Sequence, residues 1–208
     1  MSTYLWDATL GQEKLEYELL GGITYTNLSE GILSNWGKGW NIGVGVAYEV
    51  APRIQLIASQ SYHQLPFRGG NLQLALPRVW VRPFNSVPGL TRRAGGERSE
   101  IYETSVGLRF ISQGQYLKPF LTARTGFYFI NIGEIVITEE SDQNSRATPP
   151  YTYGGSGITV MNGFGALSLG VDVPLSSKFG IKVEGTVLYS SDGVSTFLPV
   201  VSTVSFRL

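Results

Sequence analysis

FGIKVEGTVLY, residues 179–189, alternates without a slip. Phe179, Ile181, Val183, Gly185, Val187 and Tyr189 share one parity, and Gly180, Lys182, Glu184, Thr186 and Leu188 share the other. A period of two is that of an extended strand, whose successive side chains point to opposite faces. Residues 40–50 repeat the pattern, with Trp40, Ile42, Val44, Val46, Tyr48 and Val50 against Asn41, Gly43, Gly45, Ala47 and Glu49. Alternation alone does not say which face is inside, because a soluble barrel buries its apolar side and a membrane barrel exposes it. The character of the faces decides. The polar parity is small and sparsely charged, unlike the Lys- and Glu-rich coat of a soluble surface. It suits a narrow barrel interior that side chains must fill, and the bulky aliphatic parity suits lipid.

Working outward, the same alternation predicts eight strands, at 15–28, 39–50, 54–65, 99–112, 116–138, 157–173, 178–190 and 195–208. Ala51-Pro52-Arg53, Gln113-Gly114-Gln115 and Pro174-Leu175-Ser176-Ser177 are short connections. Those between them, 29–38, 66–98, 139–156 and 191–194, are mostly longer and rich in Gly, Pro, Ser and Asn. Short turns at one end and long loops at the other describe an antiparallel up-and-down transmembrane β-barrel with both termini on the periplasmic side. The aromatics support this. With the N-terminus periplasmic, Tyr17, Tyr48, Phe110, Phe179 and Phe206 fall at the lower edge of the wall. Tyr25, Trp40, Tyr62, Tyr102, Phe127, Phe129 and Tyr189 fall at the upper edge. A general preference of aromatics for strands would not sort them by height, whereas membrane interfaces do. Only 157–173 is irregular: Gly163 and Gly165 take the outer parity, where a bulge is expected.

Composition agrees. The 208 residues suit one all-β domain, here 15–208, preceded by a short leader at 1–14, expected to be periplasmic. Charged residues are 15%, below the roughly 25% of a soluble domain. The formal net charge is zero, which gives no pointer to nucleic acid. There is no cysteine, so disulfides and thiolate metal sites are excluded. No apolar run is long enough for a transmembrane helix. Met1–Lys14 has no basic stretch leading into an apolar one, so the numbering is taken to begin at a mature start, the alternative being that the protein is not exported.

The segments YLKPFLTARTGFYF (Tyr116–Phe129), LSLGVDVPLSSKFGIKVEGTVLY (Leu167–Tyr189) and the end VSTVSFRL resemble the eight-stranded bacterial outer-membrane barrels. That family includes OmpA-type transmembrane domains, OmpX-type barrels and opacity-type adhesins. The resemblance covers about residues 15–208 and identifies an architecture rather than an activity. It implies an outer-membrane location and, for the most part, a non-enzymatic role. Members typically end in an aromatic residue; here Phe206 is third from last and Leu208 is terminal.

Three places could carry chemistry. The first is the polar parity, where Glu49, Glu103, Arg109, Arg124, Asp172, Lys182 and Glu184 should form a charge network across the lumen, with Glu16, Glu18 and Arg207 also inward. Unpaired charges there are costly, so Arg109, Arg124 and Lys182 are expected to neutralise Glu49, Glu103, Glu184 and Asp172. The second is His63, the only histidine, with Ser61 on its face. The resemblance includes lipid A-modifying enzymes that use a Ser and a His near the outer rim. Two residues along a strand are about 7 Å apart, however, long for a nucleophile–base pair. The third is the basic segment 66–98, with Arg68, Arg78, Arg82, Arg92, Arg93 and Arg98 against the single acid Glu97, interleaved with Phe67, Trp80 and Phe84. Arginine forks grip phosphate in two-pronged fashion, and lipopolysaccharide presents phosphates above this rim. The acidic loop 139–156 could instead neutralise it and pack as a cap.

The expected protein is thus a monomeric, non-enzymatic barrel with a plugged polar lumen. It acts through extracellular loops on outer-membrane lipid and lipopolysaccharide, or on another outer-membrane or surface protein. A narrow channel, a lipid A-modifying enzyme and a soluble lipocalin-like carrier are the alternatives. No cofactor, metal or nucleic acid is implied.

Overall fold

A computed structural model describes residues 15–26, 36–68, 90–114, 116–141, 151–153, 158–190 and 196–207. The strands are β1 (Leu15–Thr26), β2 (Gly39–Ala51), β3 (Ile54–Leu65), β4 (Leu90–Gly96), β5 (Ser99–Ile111), β6 (Lys118–Ile132), β7 (Ile135–Ser141), β8 (Tyr151–Tyr153), β9 (Ile158–Pro174), β10 (Phe179–Ser190) and β11 (Thr196–Arg207). Eight of them close a barrel in the order β1-β11-β10-β9-β6-β5-β3-β2, and β4, β7 and β8 form a separate sheet. Every barrel pairing is antiparallel, and β1 meets β11 along its length, so no edge is left open.

The alternation seen in sequence is the alternation of the wall. On β10 every other side chain is buried, and the buried set holds Lys182, Glu184 and Thr186 while Val183, Val187 and Tyr189 face out. Such a wall is stable only in lipid, because its apolar surface is on the outside, its charged side chains are within, and its backbone groups pair around the closed ring. This is a transmembrane barrel, and it sets aside a soluble carrier with an apolar cavity. The aromatic belts complete it. At the outer edge Trp40 packs edge-on against Tyr62 (5.5 Å), and Tyr62 lies 5.2 Å from Tyr102. At the periplasmic edge the Phe179 and Phe206 rings are 5.1 Å apart.

Two expectations are corrected. Segment 116–138 is not one strand: the β5–β6 ladder is interrupted at Glu97–Arg98 and Gly133–Glu134 and resumes as the β4–β7 ladder. The Glu97 amide donates to the Glu134 carbonyl at 2.8 Å and carries the pairing across the break. Gly133 is needed there, since a Cβ would sit 2.5 Å from the Arg98 carbonyl oxygen and 2.6 Å from that of Glu97. The basic segment is therefore partly ordered as β4. Second, β9 has no bulge at Gly163 and Gly165; its register with β6 is unbroken from Ile158 to Asp172. Both glycines simply lie on the outer parity.

Candidate functional site

The barrel interior is a stack of polar layers under an apolar lid. In the lowest layer Lys182 Nζ lies 2.7 Å from Glu16 Oε1 and 2.5 Å from Glu18 Oε1. Arg109 crosses from β5 to the same Glu18, with Nη1 at 2.5 Å and Nη2 at 3.3 Å from its two oxygens. Gln55 Nε2 donates to Glu16 Oε2 at 3.2 Å, and the Arg109 guanidinium lies 4.9 Å over the Phe120 ring. All of these charges are buried. They are stable there because each carboxylate meets a cation and further hydrogen bonds.

One layer up, Arg124 Nη2 is 3.7 Å from Glu184 Oε1 and donates to Thr186 Oγ1 (3.0 Å) and Ser168 Oγ (3.3 Å). The long cationic arms fit because the inward parity of β2 and β3 is small: Gly43, Gly45, Ala47, Ser59 and Ser61. Gly107 makes room for Arg124 itself. A Cβ at that position would lie 2.9 Å from Arg124 Cγ and 2.2 Å from the Ala123 carbonyl oxygen. Gly107→Ala is expected to destabilise the refolded barrel by about 1–3 kcal/mol in denaturant titrations, as overpacking of a tight interior does. A neutral result would show that the Arg124 layer is slack.

Above that, Asn41 Nδ2 donates to Thr24 Oγ1 (2.9 Å), and Thr24 Oγ1 is 2.8 Å from His63 Nδ1. On its other side His63 Nε2 lies 3.4 Å from Glu103 Oε2. Thr24 Oγ1 thus joins Asn41 to His63, and the imidazole spans from β1 to the Glu103 carboxylate of β5. Tyr128 closes the polar stack by donating to Ser190 Oγ at 2.6 Å. The lid is a buried apolar cluster including Trp36, Leu65, Ile101, Ile130, Phe164 and Leu188. Trp36 enters from the β1–β2 connection, donates its indole N–H to the Glu97 carbonyl (3.0 Å), and accepts at its own carbonyl from Thr26 Oγ1.

The anticipated residues are distributed as follows. Arg109, Arg124, Asp172, Lys182, Glu184 and Glu103 all face the lumen. Of the expected pairs, Arg124–Glu184 is present, but Arg109 and Lys182 go to Glu18 and Glu16. Glu103 meets His63, and Glu49 is half-buried at the periplasmic mouth. Parity identifies inward charges but not which of them share a layer, since that depends on the register between strands. His63 is engaged by Thr24 and Glu103, with all three side chains almost wholly buried beneath the lid. In the Ser61–His63 dyad the base is hydrogen-bonded to Thr24 at Nδ1 and lies beside Glu103 at Nε2.

Of the basic segment, Arg68 is exposed at the rim and its side chain lies against Gly37. The backbone register places Arg92 opposite Glu139 and Thr91 opposite Glu140. Arg78, Trp80 and Arg82 lie outside the described residues. Among the described residues there is no cluster of His, Cys, Asp and Glu able to hold a metal ion.

No protein-family model matches the chain, and no curated protein matches it in sequence. Solved structures do. The Neisserial surface protein A (NspA) superposes with a TM-score of 0.54 at 10% identity, covering 93% of this chain and 97% of that one. Ail, the attachment invasion locus protein of Yersinia pestis, gives a TM-score of 0.46 at 12% identity over 94% of this chain and 99% of its own. The N-terminal β-barrel domain of Pseudomonas aeruginosa OprF gives 0.43 at 13%, over 94% and 99%. Closed topology, inverted faces, paired aromatic belts and this likeness agree: the chain has the fold of the eight-stranded bacterial outer-membrane β-barrels.

Proposed function

We propose that this protein is a non-enzymatic outer-membrane barrel that acts through its extracellular face, in envelope structure, in adhesion or as an accessory subunit of an outer-membrane complex. The supporting observation is the filled interior. Ion pairs and hydroxyl networks occupy the lumen beneath a buried apolar cluster, which supports a plugged rather than a conducting interior. What remains available is the outside, where the β4–β7–β8 sheet extends the β5–β6 ladder past the outer aromatic belt.

The ligand chemistry proposed for that face is the phosphate of lipopolysaccharide, met by Arg68, Arg78, Arg82, Arg92 and Arg93 with Trp80 as an apolar anchor. Hydrogen bonds to charged groups contribute about 1.5–3 kcal/mol each, so even a partial set is measurable. Replacing Arg78, Arg82, Arg92 and Arg93 by Ser is expected to weaken binding of soluble lipopolysaccharide to the barrel in phosphatidylcholine nanodiscs at least about tenfold. Unchanged binding in a correctly folded variant would remove this ligand. Planar-bilayer recording of the unmodified barrel should be silent; discrete conductance would favour the channel instead.

A further inference from the structure

Deeper in the lumen the cations are paired, but at the periplasmic mouth the pattern changes. A cavity of about 470 Å³ opens there, lined by Glu16, Glu49, Arg53, Gln55, Lys118 and Asp172 beside the Ile111–Gly114 turn. The side chains of Glu49, Arg53 and Lys118 form no ion pair or hydrogen bond with any described residue. Among the described residues Lys118 forms no ion pair, although Asp172 is directly opposite it in register. Its floor is the buried part of Glu16, Gln55 and Asp172.

Arg53 adds an independent observation. It is the one non-glycine residue with positive φ among the described residues, at 71°. It occupies the tight β2–β3 hairpin, and its carbonyl is fixed by the Ile111 amide at 2.9 Å. Such hairpin positions are ordinarily filled by Gly, Asn or Asp, because a Cβ is strained there. A strained arginine held at the rim of this cavity, beside Glu49 and Lys118, which pair with no described residue, points to a use for its side chain.

We propose that this mouth cavity binds a small zwitterion, an amino acid or short peptide with a free ammonium and a free carboxylate, from the periplasmic side. Arg53 and Lys118 take the carboxylate, the guanidinium through its two-pronged fork. Glu49 takes the ammonium, with Asp172 and Glu16 supplying negative potential from below. Both signs in the lining argue for a zwitterion. A dianion such as phosphate would face Glu49, and a simple amine would face Arg53 and Lys118. The volume is within the range of small-ligand sites, about 300–1,000 Å³.

The test titrates the refolded full-length barrel in micelles with alanylalanine, its N-acetyl form, its C-terminal amide and inorganic phosphate, read by calorimetry or NMR. Alanylalanine should bind saturably in the millimolar range or tighter, and blocking either terminus should weaken it at least about tenfold. Arg53→Gly separates binding from folding. Glycine is at ease at positive φ, so this variant should resist denaturant at least as well as the parent while losing about tenfold or more in affinity. Lys118→Gln should fall between the two. The proposal is overturned if alanylalanine does not saturate the site, if capped and uncapped peptides or phosphate bind equally, or if Arg53→Gly leaves affinity unchanged.

Discussion

Lys182→Met lowers the stability of the refolded barrel by about 3–5 kcal/mol, the loss expected when one partner of a buried ion pair is removed. Lys182 is wholly buried, and its ammonium lies within 2.7 Å of Glu16 and 2.5 Å of Glu18. Methionine fills nearly the same volume, so packing is preserved and the loss is electrostatic. Glu18 keeps Arg109, but the buried Glu16 carboxylate loses the ammonium its charge faces and keeps the Gln55 hydrogen bond. The companion variant decides the cause. Adding Glu16→Gln to Lys182→Met removes that charge, and the double variant should recover about 2 kcal/mol of the loss. Denaturant titration in micelles, followed by tryptophan fluorescence and heat-modifiable gel mobility, measures both. If the single variant costs under about 1 kcal/mol, the layer is hydrated and the sealed-lumen account fails. If the two substitutions merely add, Lys182 acts through something other than Glu16.

This network shows where sequence reading reaches and where it stops. Strand ends other than those of the 116–138 segment were legible to within about two residues, because alternation is a local property and Pro, Gly and Ser mark its interruptions. The inward parity of Lys182, Glu184, Arg109 and Arg124 followed from the same count. What parity cannot supply is the offset between strands, and that alone puts Lys182 beside residues more than 160 positions earlier. His63 and Glu103 illustrate the point. Both were legible as strand residues near the outer end, but their meeting depends on the β3–β5 register, which places Ser61 opposite Glu103 and His63 one step above. The break between β6 and β7 was hidden for another reason. Ile135-Val136-Ile137 continues as a good strand sequence, so only Gly133 marked the interruption. In β4, Leu90-Thr91-Arg92-Arg93-Ala94-Gly95-Gly96 has no alternation, and it is a strand because β7 pairs with it. The mouth cavity had one sequence clue: an arginine directly after Ala51-Pro52, at a turn where glycine is usual.

Trp36→Ala should open the outer latch without opening the pore. The Trp36 side chain is buried, packs edge-on against Phe67 at 6.0 Å and donates its indole N–H to Glu97, while the Trp36 carbonyl accepts from Thr26, so the residue meets three different strand ends. Truncating a buried tryptophan costs about 3–5 kcal/mol. Here that loss is local, since Trp36 precedes β2 and ties the outer ends of β1, β3 and β5 together rather than filling the membrane-spanning layers. Native-state hydrogen exchange resolves it amide by amide. The Gly37 amide, bonded to Pro66, and the Glu97 amide, bonded to Glu134, should lose protection, while amides from Lys182 to Thr186 in β10 keep theirs. Trp36→Phe retains most of the packing and removes only the indole donor, so it should cost about 1 kcal/mol. Conductance should stay silent in both variants, because Tyr128–Ser190 and the Arg124–Glu184 layer still close the lumen below. Discrete openings in Trp36→Ala alone would make the lid the only seal and the polar layers a permeable path. Loss of protection throughout β10 would make Trp36 part of the barrel's global stability and end its description as a latch.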